Sequence, residues 1–216
     1  MTSKAQEDVE RRATEIRKML GIDSCKWIDV QTVLSKLREL MPEVSWCRVS
    51  DTELPDALAQ WDAENNSIKI RESIYRAANY PTQNGRARWS IFHEVIHAVE
   101  GHEGILNRAL SRHSIPRYAK RLNNIESYTD RLTAAFIAPK KFISTCMTAD
   151  KISEMFGISF EAAKIRRQEV RTARGRRGRP QVTLLTYYKN YVADLLKAMK
   201  ANTTFIAYAQ IVMRER

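Results

Sequence analysis

The run HEVIH at residues 93–97 lies inside a helical pattern of apolar residues and limits the folds open to this chain. The apolar residues of that pattern are Trp89, Phe92, Ile96 and Val99. Their spacings of three, four and three are those of one helix face, so a helix is predicted from about Ala87 to Val99. Residues four apart on a helix lie one turn apart on one side. The spacing therefore places His93 and His97 side by side.

Two imidazoles in this arrangement predict a zinc site. Zinc about 2.0–2.1 Å from each ring nitrogen can bridge His93 and His97. Glu94 is displaced around the helix by one residue, so its carboxylate reaches water at the metal and can take up and return a proton. This is the division of work expected for H-E-x-x-H, a pattern that a chain with only 4 histidines rarely contains by chance. The structural alternative is two surface histidines on either side of an ordinary glutamate.

A catalytic zinc needs a third protein ligand. The extended pattern with Gly and His after HEVIH fails, because positions 100 and 103 are both Glu. The candidates are Glu100, His102, Glu103, His113 and Glu126. Glu126 is favoured, because it opens a predicted helix on which Asp130 lies one turn further along the same face and can hydrogen-bond one histidine ring. Two histidines and a glutamate suit zinc, and also manganese or iron.

The segments RWSIFHEVIHAVEG and ESYTDRLTAAFIAP resemble the ImmA/IrrE-type metallopeptidases, a minimal gluzincin-like group. The resemblance covers roughly residues 10 to 170, with departures at Ile96, Thr129 and Ala138, where the family commonly has Gly, Ala and Met. It implies an α+β, mostly helical fold: a gluzincin-like core with a small antiparallel sheet beside the HExxH helix, and a C-terminal helix-turn-helix-like element. It also implies a function: cleaving a helix-turn-helix repressor to relieve repression under stress or in mobile elements.

Other segments predict the framework around the motif. Asp29 is placed as the N-cap of a helix that ends at Met41-Pro42. Residues 57–61 and 67–71 flank a turn and predict a hairpin, whose strand 67–71 could hold an extended peptide at the sheet edge. Residues 79–85 are predicted as a loop, and so is most of 100–123, where Pro116 interrupts the pattern. A helix is predicted for 126–138, and a second, shorter helix for 139–146.

The C-terminal part is strongly basic and is divided from the metallopeptidase domain (1–146) as a second region (147–216). Lys151–Phe156, Gly157 and Ser159–Val170 have helix-turn-helix spacing. The predicted docking residues for nucleic acid or a protein partner are Lys164, Arg166, Arg167, Arg171, Arg174, Arg176 and Arg177. Packing plus a basic docking surface is favoured over base-specific DNA reading, because Asn and Gln are scarce there.

Composition restricts the partners and the cellular location that the sequence predicts. The net charge of +11 attracts anionic partners without identifying them. The 3 cysteines are far apart, the first residues are charged, and no apolar stretch reaches 18 residues, which predicts a cytoplasmic protein with no membrane contact. Two alternatives to a metallopeptidase stay open: a DNA- or partner-binding regulator with a structural or vestigial metal site, and a toxin-like component.

Overall fold

The computed structural model describes residues 3–79, 84–102 and 115–173. In these ranges the helices are α1 (Ser3–Met19), α2 (Val30–Leu40), α3 (Glu72–Asn79), α4 (Gly85–Val99), α5 (Ile115–Ile137), α6 (Ala149–Phe156) and α7 (Phe160–Ala173). The strands are β1 (Ser45–Val49), β2 (Ala59–Asp62) and β3 (Ser67–Arg71), and a 3-10 turn covers Lys140–Phe142. The expected class, α+β and mostly helical, is confirmed. None of the described helices is long and apolar enough to cross a membrane.

The sheet is mixed, with the strand order β1-β3-β2. β2 and β3 form the predicted hairpin and pair antiparallel, with Trp61 opposite Ile68. On its other side β3 pairs parallel with β1, where Trp46 lies opposite Ile68. The prediction of an antiparallel sheet is therefore wrong for one of the two pairs. The chain passes from β1 to the far edge of the sheet, forms β2 there, and returns as β3 between the two. The apolar pattern of a single strand does not specify whether its neighbour runs parallel or antiparallel.

The position of β3 also corrects the expected peptide-binding edge. Ser67–Arg71 is the central strand of the described sheet, with neighbours on both sides. Its backbone groups are therefore used within the sheet and are not free to pair with a peptide. β2 is the edge strand that lies against α4.

α4 runs through the centre of the core. Ile91, Phe92, Val95 and Ile96 are completely buried, and complete burial of such a side chain stabilises a fold by about 1.5–3 kcal/mol. Phe92 meets Phe136 of α5 edge to face, with ring centres 5.7 Å apart. This packing fixes α4 and α5 side by side, which matters because both carry predicted site residues.

Three helix predictions need correction. α3 follows β3 directly and was not predicted, because no turn residue separates strand from helix. α5 begins at Ile115, well before the predicted start at Glu126. Pro116, interpreted as a break, lies in its first turn, where the missing N–H has no helical partner to lose. The helix predicted for 139–146 is only the 3-10 turn.

The two C-terminal helices have the predicted turn between them. Gly157 adopts a left-handed φ of 60° after α6, and the hydroxyl of Ser159 accepts from the Ala162 amide at the start of α7. Phe156 and Ala163 belong to the same apolar cluster as the core of α4. The division of the chain at residue 146 stays a prediction, since 174–216 lie outside the described residues.

Candidate metal centre

The helix that carries the HEVIH run has well-formed ends. The side chain of Asn84 accepts from the Arg86 and Ala87 amides, which caps the first turn of α4. At the other end Gly101 has a φ of 62°, a left-handed conformation that glycine adopts without strain. Both ends therefore define where the helix begins and ends, which fixes the positions of His93 and His97 along it.

Three predicted ligands come together between α4 and α5. The Nε2 atoms of His93 and His97 are 2.9 Å apart, and Nε2 of His93 is 3.2 Å from Oε2 of Glu126. Nε2 of His97 is 3.5 Å from Oε1 of Glu126. Ligand atoms around a tetrahedral zinc ion, each at about 2.0–2.1 Å, are about 3.3 Å from one another. The donor types and their separations therefore fit a metal ion of this size.

The packing of α5 explains why Glu126 reaches this point. Glu126, Thr129, Asp130 and Thr133 recur at helical spacing and form a polar stripe in which all but Glu126 are buried. A buried carboxylate such as that of Asp130 requires a hydrogen-bonding partner. For Asp130 the partner is Nδ1 of His93, at 3.1 Å from its Oδ1. Asp130 thus holds the His93 ring through the nitrogen that faces away from Glu126, as predicted.

Glu94 lies beside the ligands but contacts the sheet. Its Oε2 accepts a hydrogen bond from the backbone amide of Trp61 at 2.7 Å. This bond shows that the Trp61 amide points away from β3, towards α4. Glu94 is therefore held at the outer edge of β2, one residue along the helix from His93. Sequence reasoning missed Trp61, because nothing in the hairpin pattern indicates which helix its edge approaches.

His102 lies next to His97 and is not one of the three candidate ligands. Its Nδ1 is 3.0 Å from Nδ1 of His97 and 3.4 Å from the hydroxyl of Thr129. Its carbonyl accepts from the indole N–H of Trp61 at 2.9 Å. His102, considered as a third ligand from sequence, thus meets the nitrogen of His97 that faces away from His93.

The other ligand candidates are placed differently. Glu100 pairs with Arg12 at 2.8 Å and accepts from the hydroxyl of Tyr128 at 3.3 Å, so it joins α4 to α1 and α5. Glu103 and His113 lie outside the described residues. Glu126 is the predicted third ligand that the structure brings to both histidines.

The site has strong internal electrostatics. Burial works against a charge on His93, but hydrogen bonds from its ring to Asp130 and Glu126 outweigh this and raise its pKa to about 10. Burial raises the pKa of Glu94. Burial and the neighbouring His97 lower the pKa of His102, which favours its neutral ring. The His93 ring therefore lies beside the carboxylates of Asp130 and Glu126. The His97 ring lies beside Glu126 and the neutral imidazole of His102.

Those of the predicted basic docking residues that the structure describes do not form one surface. Arg166 is buried, donates to the Ala138 carbonyl and pairs with Glu10 at 2.6 Å and Glu169 at 3.0 Å. The prediction that Arg166 docks a partner is therefore wrong, because its charge is used inside the fold. Arg167 donates to the Met147 carbonyl at 2.6 Å.

Two of the predicted docking residues on α7 remain at the surface. Lys164 and Arg171 are exposed, and Lys164 pairs with Glu161 on the same helix at 2.9 Å. Arg174, Arg176 and Arg177 lie outside the described residues. Docking through Lys164 and Arg171 stays a prediction.

No family model, no curated protein and no solved structure matches this chain.

Proposed function

We propose that this chain is a zinc-dependent endopeptidase in which His93, His97 and Glu126 hold the metal and Glu94 is the general base. The observation that carries the proposal is the convergence of one ligand atom from each of these three residues within 4.8 Å, on two packed helices. Two imidazoles and one carboxylate are a ligand set that catalytic zinc sites use.

A zinc ion held there would supply Lewis acidity and lower the pKa of a bound water. The remaining chemistry belongs to the protein. Glu94 lies next to His93 in sequence but is turned aside from the three ligand atoms and held through Oε2 by the Trp61 amide. Its carboxylate would take a proton from the attacking water and deliver it to the leaving amine. Asp130 orients the His93 ring, and its burial prevents that hydrogen bond from being lost to solvent.

The outer edge of β2 supports a peptide as the substrate. β2 has a neighbouring strand on only one side in the described sheet, and an extended peptide can add to such an edge through backbone hydrogen bonds. The Trp61 amide at this edge is already bonded to Glu94, so the peptide would pair with the other outward-facing backbone groups of β2. A peptide aligned along Ala59–Asp62 would pass alongside Glu94. The edge of β2 therefore replaces Ser67–Arg71 as the proposed position of the substrate.

The resemblance to ImmA/IrrE-type peptidases supports a narrower proposal. It makes a helix-turn-helix transcriptional repressor the substrate, in the cytoplasm, with a gluzincin-like core as the catalytic unit. α6 and α7, joined at Gly157, correspond in this proposal to the C-terminal helix-turn-helix-like element. The exposed Lys164 and Arg171 would help to dock an acidic partner.

Co-expression tests the proposal. The full chain and its Glu94→Gln variant are each expressed with candidate repressors, and fragments are identified by mass spectrometry. We expect the wild type to cleave its repressor and the variant to bind zinc normally while cleaving about 10²–10⁴-fold more slowly. A variant that cleaves as well as the wild type would overturn the enzymatic role. Salt-sensitive DNA binding by a chain indifferent to Glu94 would instead favour a DNA- or partner-binding regulator with a structural metal site.

A further inference from the structure

The end of α4 brings a second histidine pair into contact. The Gly101 amide donates to the Ala98 carbonyl at 3.2 Å, and the His102 amide donates to the His97 carbonyl at 3.1 Å. These two bonds, with a left-handed glycine between them, define a Schellman turn. The side chains of the residues that begin and end such a turn commonly touch, usually through apolar groups. Here both residues are histidines.

The contact between these rings is polar and directional. The Nδ1 atoms of His97 and His102 are 3.0 Å apart, and the ring planes are inclined by 69°. Nε2 of His97 faces His93 and Glu126, so its Nδ1 points the other way. His102 therefore meets His97 on the side opposite to the ligand cluster, and its geometry differs from that of a fourth ligand.

His102 is held in place at several points. Its amide is fixed by the helix end, its carbonyl by the indole of Trp61, and its ring lies within 3.4 Å of the buried Thr129 hydroxyl. A loop residue with this many partners is oriented before any ligand binds. This is the condition under which an outer partner improves the affinity of a metal ligand.

We propose that His102 is a positioning residue for His97, an inference that rests on the proposed metal site. When His97 binds metal through Nε2, its Nδ1 carries the proton and donates it to Nδ1 of His102. His102 then acts as a neutral acceptor, with its own proton on Nε2. The two ligand rings are thus oriented by different groups: His93 by the carboxylate of Asp130, and His97 by an imidazole.

The affinity of the full, metal-stripped chain for zinc tests this inference, measured by competition with a chromogenic chelator. His102→Ala is expected to weaken zinc binding about 10- to 100-fold, the usual cost of losing an outer partner. His102→Asn is expected to recover part of the loss, because its amide oxygen can accept near the position of Nδ1. Glu100→Gln is the matched control: it changes the same turn on the side facing Arg12 and Tyr128, and should keep wild-type affinity.

Substitution with cobalt(II) separates positioning from direct ligation. The visible spectrum of the cobalt form should keep its tetrahedral character and intensity in His102→Ala, because no ligand is lost. Thermal melts of the metal-free variants show whether each is folded. If His102→Ala is unfolded, the affinity and cobalt measurements are made on His102→Asn instead.

Three results would overturn the role of His102. They are wild-type zinc affinity in His102→Ala, an asparagine variant as weak as the alanine variant, and a cobalt spectrum that reports a lost nitrogen ligand. A wild-type chain that takes up no zinc would instead refute the proposed function, and this inference with it.

Discussion

The α4–α5 site and the α7 helix both carry residues that the sequence singles out, and the structure treats them in opposite ways. His93, His97 and Glu126 converge within 4.8 Å, whereas the basic residues of α7 separate into buried, bonded and exposed positions. The first prediction used spacing, which helix geometry converts directly into direction. The second used charge, and a charged side chain can be satisfied inside a fold as well as on its surface. A count of charges therefore predicts an interface less well than a motif predicts a site.

The largest effect on stability is expected at Arg166, where charge serves the fold. Arg166→Ala removes the buried cation that pairs with both Glu10 and Glu169, and breaking such a buried pair costs about 3–5 kcal/mol. Urea denaturation measures the free energy of unfolding. The exposed Arg171 is the matched control, and Arg171→Ala should change that free energy by less than about 0.5 kcal/mol. Equal effects of the two changes would remove the distinction between buried and exposed charge on α7.

Glu126→Ala should cause the largest loss of metal binding without unfolding the chain. The side chain of Glu126 is 44% exposed, so its removal leaves no buried cavity. Losing a direct ligand should weaken zinc binding by more than about 100-fold, the upper cost of losing an outer partner. Chelator competition measures the affinity, and Lys164→Ala on α7 is the control expected to bind as the wild type does. Unchanged zinc binding in Glu126→Ala would return the third ligand to the candidates outside the described residues.

Asp130→Asn should have a smaller effect of the same kind. The amide still fits beside Nδ1 of His93 and its oxygen can still accept, but the negative charge that strengthens this bond is lost. We expect zinc affinity to fall about 10-fold, the lower end of the range for outer partners. The same competition assay measures it. A loss as large as that of Glu126→Ala would mean that Asp130 itself binds the metal.

The smallest effect is expected at Asp62, at the end of the strand that borders the site. The ammonium group of Lys69 and the amide of Asn65 lower the pKa of Asp62 to about 2. Because the pKa is lower in the folded state, the stabilisation is present above the unfolded value of 3.8 and is lost as pH falls through about 2. Asp62→Asn should lower the free energy of unfolding by about 1 kcal/mol at neutral pH, since Lys69 is partly exposed.

Urea denaturation of Asp62→Asn from pH 7 to pH 2 measures this dependence. The difference in the free energy of unfolding between the variant and the wild type should shrink as the pH falls through the acidic range. Zinc affinity at neutral pH should stay unchanged. A difference independent of pH would show that the carboxylate charge is not what stabilises the hairpin.

Local signals predicted the helical motif and the hairpin well. The Asp29 cap, the turn at 62–66 and the helical repeat through His93 and His97 each depend on a few neighbouring residues, and the structure contains all three features. The start of α5 was missed because a proline is compatible with a first turn as well as with a break. The parallel pairing of β1 with β3 was missed because it depends on residues distant in sequence.

The candidate site divides in the same way. The i to i+4 spacing gave the direction of both histidines, and the spacing from Glu126 to Asp130 predicted one candidate ligand and its neighbour. The contact of Glu94 with Trp61 depends on how the sheet edge meets α4, which no local pattern reports. The contact of His102 with His97 has a local signal in the sequence, because Gly101 at the end of a helical repeat is typical of a Schellman turn.

Zinc titration of the metal-free full chain, followed by X-ray absorption spectroscopy of the product, shows whether His93, His97 and Glu126 form a metal site. We expect one zinc ion per chain, bound by two imidazole nitrogens and oxygen at about 2.0–2.1 Å. A chain that takes up no zinc, or one whose zinc shows no imidazole ligands, would contradict this expectation.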